Sequence, residues 1–231
     1  MKKKRRILIA AFSGLLAVTL ILLIRFVDIA PIGPEGTSIG LSHLNRFIFE
    51  FFGVNLIWYT ITDWLGVAAI LTAFLFALVG FIQMIKRRSP LKVDREILAL
   101  GGLYIIVIGL YVLFELMIVN YRPIIMPDGL HPEASFPSSH TMLVCVIMGS
   151  AVMLLKRYIP NKILRRTLWT IAAAMIGITV IGRLISGVHW FTDILGGLLI
   201  STVLLSLFSL MIESISNRQI SSGQETDESG C

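Results

Sequence analysis

Gly182-Arg183-Leu184-Ile185-Ser186-Gly187-Val188-His189-Trp190-Phe191-Thr192-Asp193 lies between two long apolar runs and carries an arginine, a histidine and an aspartate. Ionisable groups at a membrane boundary are costly to desolvate, so by default they mark function. His189 and Asp193 are separated by four positions. On a helix such a pair shares one face, with Cβ atoms about 5–6 Å apart. The carboxylate is then expected to accept a hydrogen bond from one imidazole nitrogen, leaving the other unprotonated and nucleophilic. Arg183 precedes His189 by six positions and would point elsewhere on a continuous helix. Gly187 between them is where the chain can break and bring the guanidinium round. A cation, an oriented imidazole and an orienting carboxylate together suit phosphoryl transfer.

The flanking runs set the class. Of 231 residues, 56% are hydrophobic, and the mean hydropathy is +0.85. A water-soluble domain of this length is far more polar. Several runs approach the ~20 residues needed to cross the hydrocarbon core. They are continuous rather than alternating, which selects helices over a barrel. Spans are expected over residues 7–27, 64–85, 97–119, 138–155, 167–181 and 194–212. The first has a basic start like a signal peptide, but its apolar part is too long and no small-residue cleavage site follows, so an uncleaved helix is expected. The fold class is therefore an all-α integral membrane protein with a six-transmembrane-helix bundle. One domain covers residues 1–213, and the polar residues 214–231 are expected to form a disordered cytoplasmic tail.

The net charge of +6 could suggest nucleic acid. The positions of the charges exclude it. Lys2, Lys3, Lys4, Arg5 and Arg6 precede the first span. Lys86, Arg87, Arg88, Lys92 and Arg95 separate the second from the third, and Lys156, Arg157, Lys162, Arg165 and Arg166 separate the fourth from the fifth. With Arg218, sixteen of the twenty basic residues lie at one end of the spans. This is the positive-inside pattern, which places both termini in the cytoplasm of a multi-pass plasma membrane protein. Cys145 and Cys231 show no zinc or redox spacing.

In the outer segment, residues 28–63, Pro31, Gly33, Pro34 and Gly36 break any helix. Leu44, Phe47, Ile48 and Phe51 then recur at helical spacing, with Trp58 and Tyr59 following, so an interfacial helix is expected. Glu115 to Pro123, Phe136 to His140 and Arg183 to Asp193 all fall at outer ends of spans or in outer loops. A shared side is what one site requires. Pro137 stops the preceding chain from continuing as helix and Ser138 is a good N-cap residue. The free N–H groups of the turn opened by Ser138, Ser139 and His140 could hold a phosphate oxygen. His140, in that turn, could donate a proton to a leaving oxygen. Arg122 and Arg183 offer guanidinium forks for the equatorial oxygens of a transferring phosphoryl group. His131 and Glu133 are expected to be ordinary loop residues.

These motifs resemble the type-2 phosphatidic acid phosphatase family, which shares its core with the vanadium haloperoxidases. The family signature is Lys-x6-Arg-Pro, Pro-Ser-Gly-His, then Ser-Arg-x5-His-x3-Asp. Arg122-Pro123 matches the first part, Pro137, Ser138 and His140 the second, and Arg183, His189 and Asp193 the third at the family's spacing. The resemblance implies the acid phosphatase/haloperoxidase-like core and a phosphatase that needs no metal and no cofactor. His189 would form a phosphohistidine, oriented by Asp193. His140 would be the leaving-group acid, and Arg122, Arg183 and Ser138 would bind phosphate. Ser139 stands where the family has Gly and Gly182 where it has Ser; both are small. Glu115 stands where the family has Lys. On a helix it points to the same side as Arg122, about 10.5 Å along the axis. It either orients Arg122 or meets a cationic part of a substrate.

The expected partners are the bilayer and a lipid phosphate or diphosphate: an isoprenyl diphosphate, phosphatidylglycerol phosphate or phosphatidic acid, presented at the outer face. Two other readings use the same residues. One is a lipid phosphotransferase working through the same histidine, and the other is an inactive lipid-phosphate-binding protein, which Glu115 favours and the two histidines with Asp193 oppose.

Overall fold

The computed structural model describes residues 2–126 and 129–228. Pro127 and Asp128 of the expected outer loop, and Cys231, lie outside the described residues. Among the described residues the secondary structure is helical: α1 (Lys2–Phe26), α2 (Ser42–Phe52), α3 (Leu56–Arg87), α4 (Arg95–Leu116), α5 (Ser139–Tyr158), α6 (Lys162–Ser186) and α7 (Phe191–Glu228), with single 3-10 turns at Pro34–Gly36 and Pro90–Lys92. All but α2 are long and apolar enough to cross a membrane, so the six expected spans are present. Leu8, Phe12 and Leu15 of α1, Trp64 and Phe74 of α3, and Ile105 and Ile108 of α4 are exposed. Water penalises such a surface and acyl chains do not.

α5 is the most enclosed span. It packs against α3, α4, α6 and α7, while α1 lies along α7. Leu100, Leu103 and Val107 of α4, Met142, Val146 and Leu154 of α5, and Leu204 and Phe208 of α7 form one cluster. Ala69 of α3, Val144, Ile147 and Met148 of α5, and Ala172 of α6 form a second. At the basic end, ion pairs tie the helices together. Arg6 of α1 reaches Glu213 of α7 at 2.6 Å, and Arg157 of α5 reaches the buried Glu96 of α4 at 2.8 Å. The other ends, with the three motifs, are thereby gathered at the opposite pole.

α2 is the expected interfacial helix. Phe47 and Phe51 face outward. Asn45 turns inward and is fully buried, donating to Gly40 O at 3.0 Å and Thr192 Oγ1 at 3.1 Å. A polar residue anchors the helix while its apolar face remains free for lipid.

Three boundaries differ from expectation. α3 starts at Leu56, so Trp58, Tyr59 and Asp63 belong to the second span's first turns rather than to the outer loop. The cause is Asn55, whose Oδ1 accepts from Ile57 N and Trp58 N as an N-cap. α6 extends beyond residues 167–181 at both ends, from the Asn161 cap to Gly187. α7 starts at Phe191 and continues past residue 212 to Glu228. The residues expected to be a disordered tail are thus helical as far as Glu228, and residues 229–231 lie outside the described residues. Extending an existing helix adds one hydrogen bond per residue without a new nucleus.

Candidate active site

The site is assembled where α6 ends and α7 begins. Gly187 has φ +67° and ψ +14°, the left-handed conformation that terminates α6. A Cβ at this position would lie 2.3 Å from Gly53 O, so only glycine allows α6 to close on the loop before α3. Asn55 N donates to Ser186 O across the same junction. The break leaves Arg183 in the last turn of α6, fully buried. It leaves His189 in the connector, outside both helices.

Asp193 is the third residue of α7, and its Oδ2 accepts the Trp190 N–H at 2.9 Å. That is the acidic half of a capping box. The same oxygen accepts from Ser135 Oγ at 2.5 Å, and Asn120 Nδ2 lies 3.4 Å from Oδ1. The expected direct hydrogen bond to His189 is not made. Asp193 Oδ2 lies 3.9 Å from His189 Nδ1, because His189 is not on the helix. Ser135 fills the gap, with its Oγ 3.0 Å from Nδ1.

One hydroxyl carries one proton, which decides the tautomer. Ser135 donates to the carboxylate, so it must accept from His189 Nδ1–H. Nε2 is then unprotonated. It is buried and has no hydrogen-bond partner. Burial, and after it the positive charges of Arg122 and Arg183, hold the imidazole well below its ordinary pKa. His189 is therefore a neutral base with a free lone pair.

His189, Arg122, Glu115, Tyr111 and Ser139 line one small cavity. Two guanidinium groups have nitrogens to spare: Nε and Nη1 of both Arg122 and Arg183 are buried without hydrogen-bond partners. Buried donors of this kind are rare unless a ligand completes them. Arg122 is held by its own loop: its N–H donates to Glu133 O at 3.0 Å, and Glu133 Oε2 pairs with its Nε at 3.2 Å without hydrogen-bond alignment. Arg183 Nη2 donates to Asp63 Oδ1 at 2.5 Å, and its guanidinium carbon lies 4.9 Å from the Tyr59 ring centre.

The turn opening α5 divides its labour. Ser138 N donates to Asp193 O at 2.9 Å, and Thr141 Oγ1 donates to the buried Ser138 Oγ at 3.0 Å. Ser138 thus ties α5 to α7, and the neighbouring Ser139 faces the cavity. His140 Nε2 lies 2.9 Å from Asp63 Oδ1. Next to it, Asp63, Val67, Ile70, Tyr111, His140 and Leu143 line a groove of about 340 Å³ between α3, α4 and α5. Val67 and Ile70 are exposed, so the groove has an apolar approach from the side of the bundle.

The structure thus brings Arg122, Ser139 and His189 to one cavity with Asp193 behind His189 through Ser135, and Arg183 and His140 meet at Asp63 beside it. Glu115 is present at the cavity, but the carboxylate that pairs with Arg122 is Glu133, expected to be an ordinary loop residue. Ser135, Asn120 and Asp63 were not identified from sequence either. Asp63 carried one available signal, a carboxylate two turns into a run that Asn55 caps.

This is a six-span helical bundle with an oriented histidine and two guanidinium groups with spare buried donors at one pole. Residues 66–216 match the PAP2 superfamily, and the chain belongs to that superfamily. No curated protein matches the chain. Among solved structures, the first transmembrane PAP2-type phosphatidylglycerolphosphate phosphatase from Bacillus subtilis is similar in fold, with a TM-score of 0.66 at 18% identity, covering 89% of this chain and 96% of that one.

Proposed function

We propose that this lipid phosphatase hydrolyses a phosphate monoester or diphosphate of a membrane lipid through a phosphohistidine on His189, without a metal ion. The observation that carries the proposal is the buried, unpartnered Nε2 of His189, with spare buried donors on Arg122 and Arg183. Nε2 attacks phosphorus while the guanidinium groups and the α5 turn hold the equatorial oxygens. The bond from phosphorus to the lipid oxygen breaks, and His140 gives that oxygen a proton. The phosphorylated ring keeps its Nδ1 proton, and Ser135 and Asp193 stabilise the resulting positive charge. Water then attacks phosphorus, its proton passes to His140, the phosphorus–nitrogen bond breaks and inorganic phosphate leaves. The apolar groove beside His140 accommodates the lipid part entering from the bilayer. By the distribution of basic residues the site lies at the outer face, with both termini in the cytoplasm.

The test is phosphate release by the full-length protein in detergent with EDTA, against phosphatidic acid, phosphatidylglycerol phosphate and an isoprenyl diphosphate. Release undiminished by EDTA from at least one of them is the expected result. Release that stops in EDTA and returns with added divalent cation rules out the metal-free mechanism. Lipid dephosphorylation that depends on an added hydroxyl acceptor, with the phosphoryl group recovered on that acceptor rather than as free phosphate, identifies a transferase instead.

A further inference from the structure

His140 lies directly against a carboxylate, whereas His189 reaches Asp193 only through Ser135. Asp63 Oδ1 lies 2.9 Å from His140 Nε2, an ion-pair contact without hydrogen-bond alignment, and accepts from Arg183 Nη2 at 2.5 Å. The contact depends on a close fit of α3 against α5. A Cβ at Gly66, three residues after Asp63, would lie 3.0 Å from His140 Cδ2 and 3.4 Å from Nε2. The imidazole lies against the glycine and its Nε2 reaches the acid one turn above. Asp63 and His140 also share the wall of the lateral groove through which the lipid part is placed.

We propose that Asp63 is the positioning residue of the leaving-group step, holding His140 with Nε2 protonated so that Nδ1 is the nitrogen that exchanges a proton with the departing and attacking oxygens. The inference rests on the function proposed above. An ionised carboxylate only accepts, so the His140 nitrogen facing it carries a proton in both the charged and the neutral ring. When His140 donates from Nδ1, the proton goes to the lipid oxygen and the ring is left neutral with Nε2–H. That tautomer is the one that can take a proton from water at Nδ1 in the second step, with no ring flip between them. The same oxygen occupies only Nη2 of Arg183, and its Nε and Nη1 remain for the phosphoryl oxygens.

A purely structural role, holding Arg183, makes a different prediction, and the leaving group separates the two. An alkyl lipid ester leaves as a strongly basic alkoxide and needs the acid. A nitrophenyl ester leaves as a stable phenolate and does not. The experiment compares wild type, Asp63→Asn and Asp63→Glu on phosphatidic acid and on p-nitrophenyl phosphate, following the first release of alcohol or phenol. Asp63→Asn is expected to slow the lipid ester about 100-fold and the nitrophenyl ester less than about 3-fold. Asp63→Glu is expected to recover part of the lost lipid rate. Parallel losses on both esters overturn the proposal and leave Asp63 as a support for Arg183, and an unchanged lipid rate overturns it as well. A wild-type protein inert on both esters overturns this inference, and one inert on phosphatidylglycerol phosphate and the isoprenyl diphosphate as well removes the proposed function with it.

Discussion

His189→Gln is expected to lower turnover by about 10⁴-fold or more, because the substitution removes the group that forms the covalent intermediate. Glutamine occupies a similar volume and can still bond Ser135, so the fold and the Arg122–Arg183 pair remain. The measurement is steady-state phosphate release together with acid-quench trapping of labelled phosphoenzyme. The wild type is expected to trap an acid-labile phosphoryl group and the variant none. Residual turnover within tenfold of wild type would show that another group attacks phosphorus.

The same residue has a pH signature. Folded His189 is held neutral well below its ordinary pKa by burial and by the cations beside it. The nucleophile is therefore not lost as pH falls through about 6.5, the unperturbed histidine value. The unfolded chain does take up that proton, so the folded state loses stability as pH falls below about 6.5, by at most about 1.4 kcal/mol per pH unit for this one group. In His189→Gln that part of the slope disappears, which thermal unfolding in detergent at several pH values reads directly.

Asp193→Asn is expected to cost about 10⁴ in turnover by reversing a tautomer, with little change in the fold. Asparagine can still accept the Trp190 N–H through its oxygen, which preserves the start of α7. Ser135 then no longer faces an ionised acceptor. Its hydroxyl can turn to donate to His189 Nδ1, which moves the imidazole proton to Nε2 and removes the lone pair from the attacking position. Ser135→Ala tests the relay separately. With 3.9 Å between Asp193 Oδ2 and His189 Nδ1, the carboxylate cannot replace the lost hydroxyl without the ring moving. A loss of about 10–100-fold is expected there, in the range of other ligand- and base-orienting contacts. A Ser135→Ala rate within about threefold of wild type would mean that Asp193 acts on the ring directly in the working enzyme.

The class of the protein and one strand of its chemistry were legible in the sequence. Apolar runs long enough to span a bilayer leave the backbone few choices besides helix, and the clustering of Lys and Arg at alternate ends of the spans orders them. Arg122, Ser138, Ser139, His140, Arg183, His189 and Asp193 could be grouped because spacing and a common pole already placed them together, although Ser138 turned out to tie α5 to α7 while Ser139 faces the cavity. The errors lie where direction rather than proximity mattered. Asp193 was expected to touch His189 because the two were taken to share a helix, whereas the left-handed Gly187 and the start of α7 at Phe191 place His189 in a connector. That left a gap which Ser135, fifty-four residues away, fills.

Ser135, Asn120 and Glu133 belong to no local pattern, and Asp63 to no more than the run that Asn55 caps. Their roles are set by packing: Asp63's by the fit of Gly66 on His140 of α5, Glu133's by its backbone pairing with Arg122. Hydropathy and motif spacing are properties of a few adjacent residues, and the bilayer converts them into spans and sides. The partner of a buried polar atom is chosen over a few tenths of an ångström by how separate helices pack, so the protonation of His189 and the second carboxylate–imidazole pair were decided only by the tertiary structure.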